Sequence, residues 1–198
     1  MKSPKTPGAG RTGAPEPGPE NLREYARGAV LRDGTGVTVR AVLPEDKARL
    51  QKGFHRLSPT SVKFRFLGLK KELSVEELVY LTEIDYDVHV ALVVTVHKDG
   101  EELIVGVGRF IEVEPGQRGR TAEIGLAVVD EFHRRGIGTL LFEIMKELAS
   151  AKGIARFEAW VLSDNCRMCD IFRHHATDYI CTRDEDVYHI TCSITQNL

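Results

Sequence analysis

Read as a pattern of apolar and polar positions, the chain changes texture near residue 29 and again near residue 89. Gly36-Val37-Thr38-Val39-Arg40-Ala41-Val42-Leu43 alternates in the manner of a half-buried strand. Pro44-Glu45-Asp46 opens a helix, since proline and acids suit a first turn. Ser58-Pro59 starts a second helical stretch through Phe64 and Phe66. Ser74-Val75-Glu76-Glu77 reads as a capping box leading into Leu78, Leu81 and Ile84. From His89 to Val96 the residues are β-branched and apolar. Lys98-Asp99-Gly100-Glu101 is a turn, and Leu103 to Val113 returns as the second arm of a hairpin. Thr121 to Val129 is a third strand. An amphipathic helix follows from Thr139 to Ala151, with Leu140, Leu141, Ile144, Met145 and Leu148 on one face. Ala155 to Leu162 is a strand and Asn165 to His174 a helix. Two short strands, around Tyr179 to Thr182 and Val187 to Ile194, close the chain. That order implies an α/β fold with a mixed sheet and helices on both faces. No repeat has solenoid spacing.

Residues 1–28 fall outside this pattern. Five of the eight prolines lie there, with several glycines and few large apolar residues. Such a segment buries too little to offset its ordering entropy, so a disordered tail or linker is expected, with one domain over 29–198. The 198 residues carry a formal net charge of -2, which gives no basic excess for nucleic acid. No apolar run approaches the length of a membrane span, and no secretory signal is visible, so a cytoplasmic location is expected. Cys166, Cys169, Cys181 and Cys192 then read as reduced thiols. Cys166-x-x-Cys169, with His174, His175 and Cys181, is a weak metal pattern inside an expected helix, and no metal is expected.

The informative unit is Asp130-Glu131-Phe132-His133-Arg134-Arg135-Gly136-Ile137-Gly138, between the third strand and the amphipathic helix. Its glycines let backbone approach a ligand and turn sharply into the helix. The first helical amides lack partners, and the helix dipole adds positive potential, so a phosphate or pyrophosphate is the natural occupant. Arg134 and Arg135 add cations beside it. The spacing is neither the dinucleotide fingerprint nor a P-loop.

At these residues the chain resembles a family. Thr121 to Met145 (TAEIGLAVVDEFHRRGIGTLLFEIM) looks like the central motif of the GNAT acetyltransferases, usually Q/R-x-x-G-x-G/A, with His133 in place of the first residue. The stretches VRAVLPEDKARLQKGFHRLSPTSVKFRFLG and LSVEELVYLTEIDYD are similar to the GNAT domain of bacterial Pat-type protein lysine acetyltransferases. In several of those the domain is joined to a cyclic-nucleotide-binding or acyl-CoA-synthetase-like domain. Neither is read here, so a stand-alone relative or a catalytic domain alone is expected.

The resemblance implies a mostly antiparallel sheet splayed around acetyl-CoA. It implies cofactor contacts at Leu126, Ala127, Val128, Arg134, Arg135, Gly136, Ile137, Gly138, Thr139 and Asn165, with oxyanion donors among the Leu126–Val128 amides. It makes Glu123 the general base; the residue pattern alone equally allows a solvent-facing strand carboxylate. Phe172 stands where many members place a thiolate-protonating tyrosine. Tyr86 and Asp87 resemble an acceptor-side segment, and either a substrate contact or a helix cap fits them. His174 reads as a surface residue. The expected activity is acetyl transfer from acetyl-CoA to a primary amine, with a protein lysine or a small amine as acceptor. A CoA-binding regulatory module is the alternative of another class. Acceptor, acyl-chain preference and oligomeric state are not legible.

Overall fold

The computed structural model describes residues 19–116 and 119–194. The described strands form one sheet: β1 (Ala26–Val30), β2 (Gly36–Ala41), β3 (His89–Lys98), β4 (Glu101–Gly116), β5 (Gly119–Val128), β6 (Arg156–Leu162), β7 (Thr177–Asp184) and β8 (Val187–Ser193). The order is β1-β2-β3-β4-β5-β6-β8-β7. Every neighbouring pair is antiparallel except β5–β6, which is parallel. Five helices cover it: α1 (Lys47–His55), α2 (Pro59–Phe66), α3 (Val75–Thr82), α4 (Ile137–Ala151) and α5 (Cys166–His175).

Two helix starts follow the sequence closely. Ser58 caps α2 by accepting from the Ser61 amide at 3.2 Å, with Pro59 at the first helical position. Ser74 and Glu77 close the expected capping box of α3. Ahead of α1, Pro44–Asp46 forms a separate 3-10 turn. The Asp46 carboxylate is buried there and held by Arg40 at 2.7 and 2.8 Å, while Glu102 accepts from the same guanidinium at 2.9 and 3.0 Å. A buried acid stays ionised only with such compensation, and the network pins α1 to β2 and β4.

Residues 19–28, expected to belong to a disordered tail, carry structure. Residues 1–18 lie outside the described residues, but Pro19–Glu24 is a 3-10 turn and Ala26–Val30 is β1. Leu22 and Tyr25 are buried and anchor this segment to the core. As an edge strand β1 is at most half-buried, so it carries no alternating apolar signal.

α1, α2 and α3 lie on one face of the sheet, and α4 with α5 on the other. Alternation along β5 sets the two faces. Gly125 faces α2, where an added Cβ would lie 3.3 Å from the Arg65 guanidinium. Leu126 faces α4 and packs with Leu141 and Met145 around Gly108. The α4 face holds an aromatic cluster in which Phe142 meets Phe157 at 6.0 Å and Phe172 at 5.3 Å, centroid to centroid. Truncating a buried phenylalanine of this kind costs about 3–5 kcal/mol. No helix of the described residues is long and apolar enough to cross a membrane.

Candidate active site

β5 and β6 run parallel only from Thr121↔Arg156 to Glu123↔Glu158 and then separate. Beyond Glu123, one edge of β5 therefore has no strand partner. The Val129 amide bonds to Val105 O on β4 at 2.9 Å. Alternation then turns the Ala127 backbone toward β4 and the Leu126 and Val128 backbone toward the gap. Of the three amides expected to serve as donors, Leu126 and Val128 occupy the open edge. Ala127 contributes its side chain to the other face.

The loop after β5 is fixed from both sides. The Val128 carbonyl faces the gap and accepts from His133 Nε2 at 2.8 Å. His133 Nδ1 accepts from Arg167 at 2.6 Å. A carbonyl only accepts and a guanidinium only donates, so these partners set the Nε2–H tautomer. His133 thus ties the loop to the strand end, a role its departure from the family motif did not reveal. Asp130 takes the Ser58 amide at 2.8 Å and the Ser58 and Ser61 hydroxyls at 2.8 and 2.9 Å. Burial works against its charge, but these donors win and hold the carboxyl below its ordinary range. The contact seats the N-terminus of α2 over the loop.

Gly136 and Gly138 serve different ends. Gly136 caps α4 with φ +97 and offers no side-chain cap, so the first helical amides stay open toward the cavity. At Gly138 a Cβ would come 3.0 Å from the tip of Ile171, so α5 packs closely against this turn. Arg134 also has positive φ, +62, an uncommon conformation for a side-chain-bearing residue.

A cavity of about 400 Å³ opens between the separated strands, bounded by the loop, α2 and α5. Nine of the ten expected cofactor contacts line it: Leu126, Ala127, Val128, Arg134, Gly136, Ile137, Gly138, Thr139 and Asn165. Asn165 also caps α5, its Oδ1 accepting from the Met168 amide at 3.4 Å. The tenth, Arg135, turns away, pairing with Asp33 at 2.8 Å and lying 4.7 Å from the Phe132 ring centroid. Two cations absent from the sequence reading take its place. Arg32, from the β1–β2 hairpin, lies against Gly136, with its Nε 3.5 Å from where a Cβ would be. Arg167 comes from the first turn of α5. Neither position carries a local signal, because both reach the loop only through folding. Open helical amides, a glycine entry and the guanidiniums of Arg32, Arg134 and Arg167 make a donor set suited to a pyrophosphate.

Glu123 does not line the cavity. It is an exposed residue on the α1–α3 face of β5, three positions before Leu126. At a strand rise of about 3.3 Å per residue it stands roughly 10 Å from that amide. Between them, over Gly125, sits Arg65. Burial lowers the proton affinity of Arg65, and the charges of Glu123 and Tyr80 act against that.

Phe172 is fully buried in the aromatic cluster and faces no substrate. Tyr86 is buried as well; its hydroxyl donates to the Val42 carbonyl, and burial pushes its pKa up to about 12. It anchors the turn before β3, while Asp87 is exposed. His174 is exposed, with its ring bonded to Asp170 O at 2.8 Å. Cys166 and Cys181 are exposed, whereas Cys169 and Cys192 are buried. Among the described residues no three His, Cys, Asp or Glu side chains are grouped to hold a metal ion.

Known proteins resemble this chain in sequence and fold. The acetyltransferase (GNAT) family model matches residues 63–176, more than half of the chain. An acetyltransferase of Pseudomonas aeruginosa is 32% identical over 157 residues, covering 79% of this chain and 81% of that protein. Acetyltransferase Pat of Mycolicibacterium smegmatis is 33% identical over 138 residues, 70% of this chain but only 40% of that protein. The GNAT domain of S. lividans PAT superposes with a TM-score of 0.74 at 26% identity, over 85% of this chain and 96% of that domain. A Salmonella typhimurium protein, yncA, solved with its cofactor acetyl-CoA, shares the fold with a TM-score of 0.62 at 14% identity, over 81% and 95% of the two chains.

Proposed function

The chain belongs to the acetyltransferase (GNAT) family and is an N-acetyltransferase, and on that premise we propose that it transfers the acetyl group of acetyl-CoA directly to a protein lysine, with Glu123 as general base. The observation that carries the reading is the separation of β5 from β6 just past Glu123, which aims open amides and a phosphate-suited loop into one cavity.

The loop amides from Gly136 onward, with Arg32, Arg134 and Arg167, hold the pyrophosphate. The free edge of β5 pairs with the pantetheine arm. The Leu126 and Val128 amides donate to the thioester oxygen as it gains charge; one such preorganised donor contributes about 3–4 kcal/mol. A lysine ammonium, with a pKa of roughly 10.4, must lose a proton to attack. Glu123, some 10 Å along the strand by the rise above, takes it through water. Phe172 lies in the core and has no proton to give the departing thiolate. A thiol pKa of about 8.5 lets it leave unaided.

The lysine acceptor rests on the likeness to the Pat proteins. A small amine that carries an acid group is the second reading, favoured by Arg65 and Arg109, which share a recess on the Glu123 face and form no ion pair among the described residues. Labelled acetyl-CoA offered with a panel of proteins and small amines separates the two. Labelling of proteins alone supports the first reading, and labelling of small amines alone the second. No turnover on any amine would point to a CoA-binding regulatory module.

A further inference from the structure

Arg65, which is partly buried, and Arg109, which is buried, are set apart from the other enclosed charges. Arg40, by comparison, meets two carboxylates. Among the described residues neither Arg65 nor Arg109 forms an ion pair. Arg109, on β4 directly opposite Gly125, is 4% exposed. One of its terminal nitrogens donates to His89 Nε2 at 3.1 Å and the other to the Leu81 carbonyl at 3.3 Å. Its Nε has no partner. Burial and the charge of Arg65 both pull its proton affinity down. Burial likewise keeps His89 neutral, with its pKa lowered to about 4, so the ring accepts without supplying negative charge.

Both arginines line a small cavity of about 60 Å³ between the sheet and α1–α3, whose other walls are mostly apolar. Arg65, Leu57 and Ala127 border this cavity and the cofactor cavity alike. A pair of neighbouring cations, one buried with an idle N–H, is complementary to a planar anion with two oxygens. The volume suits one carboxylate and not a peptide segment.

We propose that Arg65 and Arg109 form a subsite for a single carboxylate group, beside the point of acetyl transfer. The carboxylate comes either from the acceptor itself, an amine with an acid group a few bonds away, or from a small free acid. The subsite stands on its own geometry, and only the acceptor arm rests on the acetyl-transfer reading.

The first measurement is calorimetric titration of the full chain, without acetyl-CoA, with acetate and with its neutral isostere acetamide. Saturable binding of acetate alone is expected. Arg109→Met should weaken it by about tenfold or more, the effect of losing a charge-assisted hydrogen bond. Arg65→Met serves as the second variant should Arg109→Met fail to fold by circular dichroism. Equal binding of acetate and acetamide, equal heats with chloride, or acetate affinity unchanged in a folded variant would overturn the subsite. The second measurement compares amino-acid acceptors with their amides. A KM advantage for the acids that is lost in Arg109→Met assigns the carboxylate to the acceptor. No such advantage, with acetate binding intact, assigns it to a free acid.

Discussion

The two sides of β5 are built differently. The cofactor side is organised around one continuous segment, from the open edge of the strand through the glycine loop to the first turn of α4. The proposed acceptor side, around Glu123, is assembled from β5, β4, α2 and β3, so Arg65, Arg109 and His89 meet only in the fold. A recurring ligand part such as pyrophosphate can be met by backbone amides in a fixed order. An acceptor must be met by side chains, and these can come from anywhere the sheet gathers them.

The strongest way to break this contrast is Glu123→Gln. Acetyl transfer should fall by about 10²–10⁴ in kcat, the range for a lost general base, while CoA affinity stays level by calorimetry. Transfer at wild-type rate would place the base elsewhere. Gly136→Asp should do the reverse. The left-handed backbone costs an ordinary residue roughly 1–2 kcal/mol, and a carboxylate repels phosphate. CoA affinity should drop on the order of 100-fold in calorimetry; an unaltered Kd would make the loop structural only.

Acid probes the acceptor side through stability. His89 has a folded pKa of about 4 against an ordinary 6.5. Between those values the unfolded chain binds a proton that the folded one refuses, so stability falls as pH falls from 6.5 toward 4. The loss reaches about 3 kcal/mol at most. Urea unfolding at stepped pH should show it, and His89→Gln should flatten that part of the curve. The smallest contrast lies within the loop. Arg32→Ala should weaken CoA by about tenfold through a lost phosphate contact. Arg135→Ala should change it by no more than about threefold, because it breaks a half-exposed pair with Asp33. Equal effects would return Arg135 to the cofactor.

Much of this was legible in advance where the signal is local. Capping residues fixed the starts of α2 and α3, and an apolar stripe fixed α4, because those choices depend on neighbours within a few positions. The loop was legible because Gly136 must take a left-handed backbone and the helix after it exposes amides, both properties of adjacent residues. β1 was not, since an edge strand needs little apolar patterning to pair. Arg135 was placed beside the phosphate for its nearness in sequence, yet Asp33 in the β1–β2 hairpin draws it away. His133 departs from the usual motif residue, and its hold on Val128 O emerges only when Arg167 reaches its other nitrogen.

Taken alone, then, the sequence determined most of the elements and the phosphate-suited loop, both properties of residues close together along the chain. The tertiary structure decided which cations face the cavity, which β5 amides stay open, and that two arginines share a recess without an ion pair among the described residues. Those features depend on the end of β5–β6 pairing and on helices crossing the sheet, and burial gives a side chain partners that sequence distance does not encode.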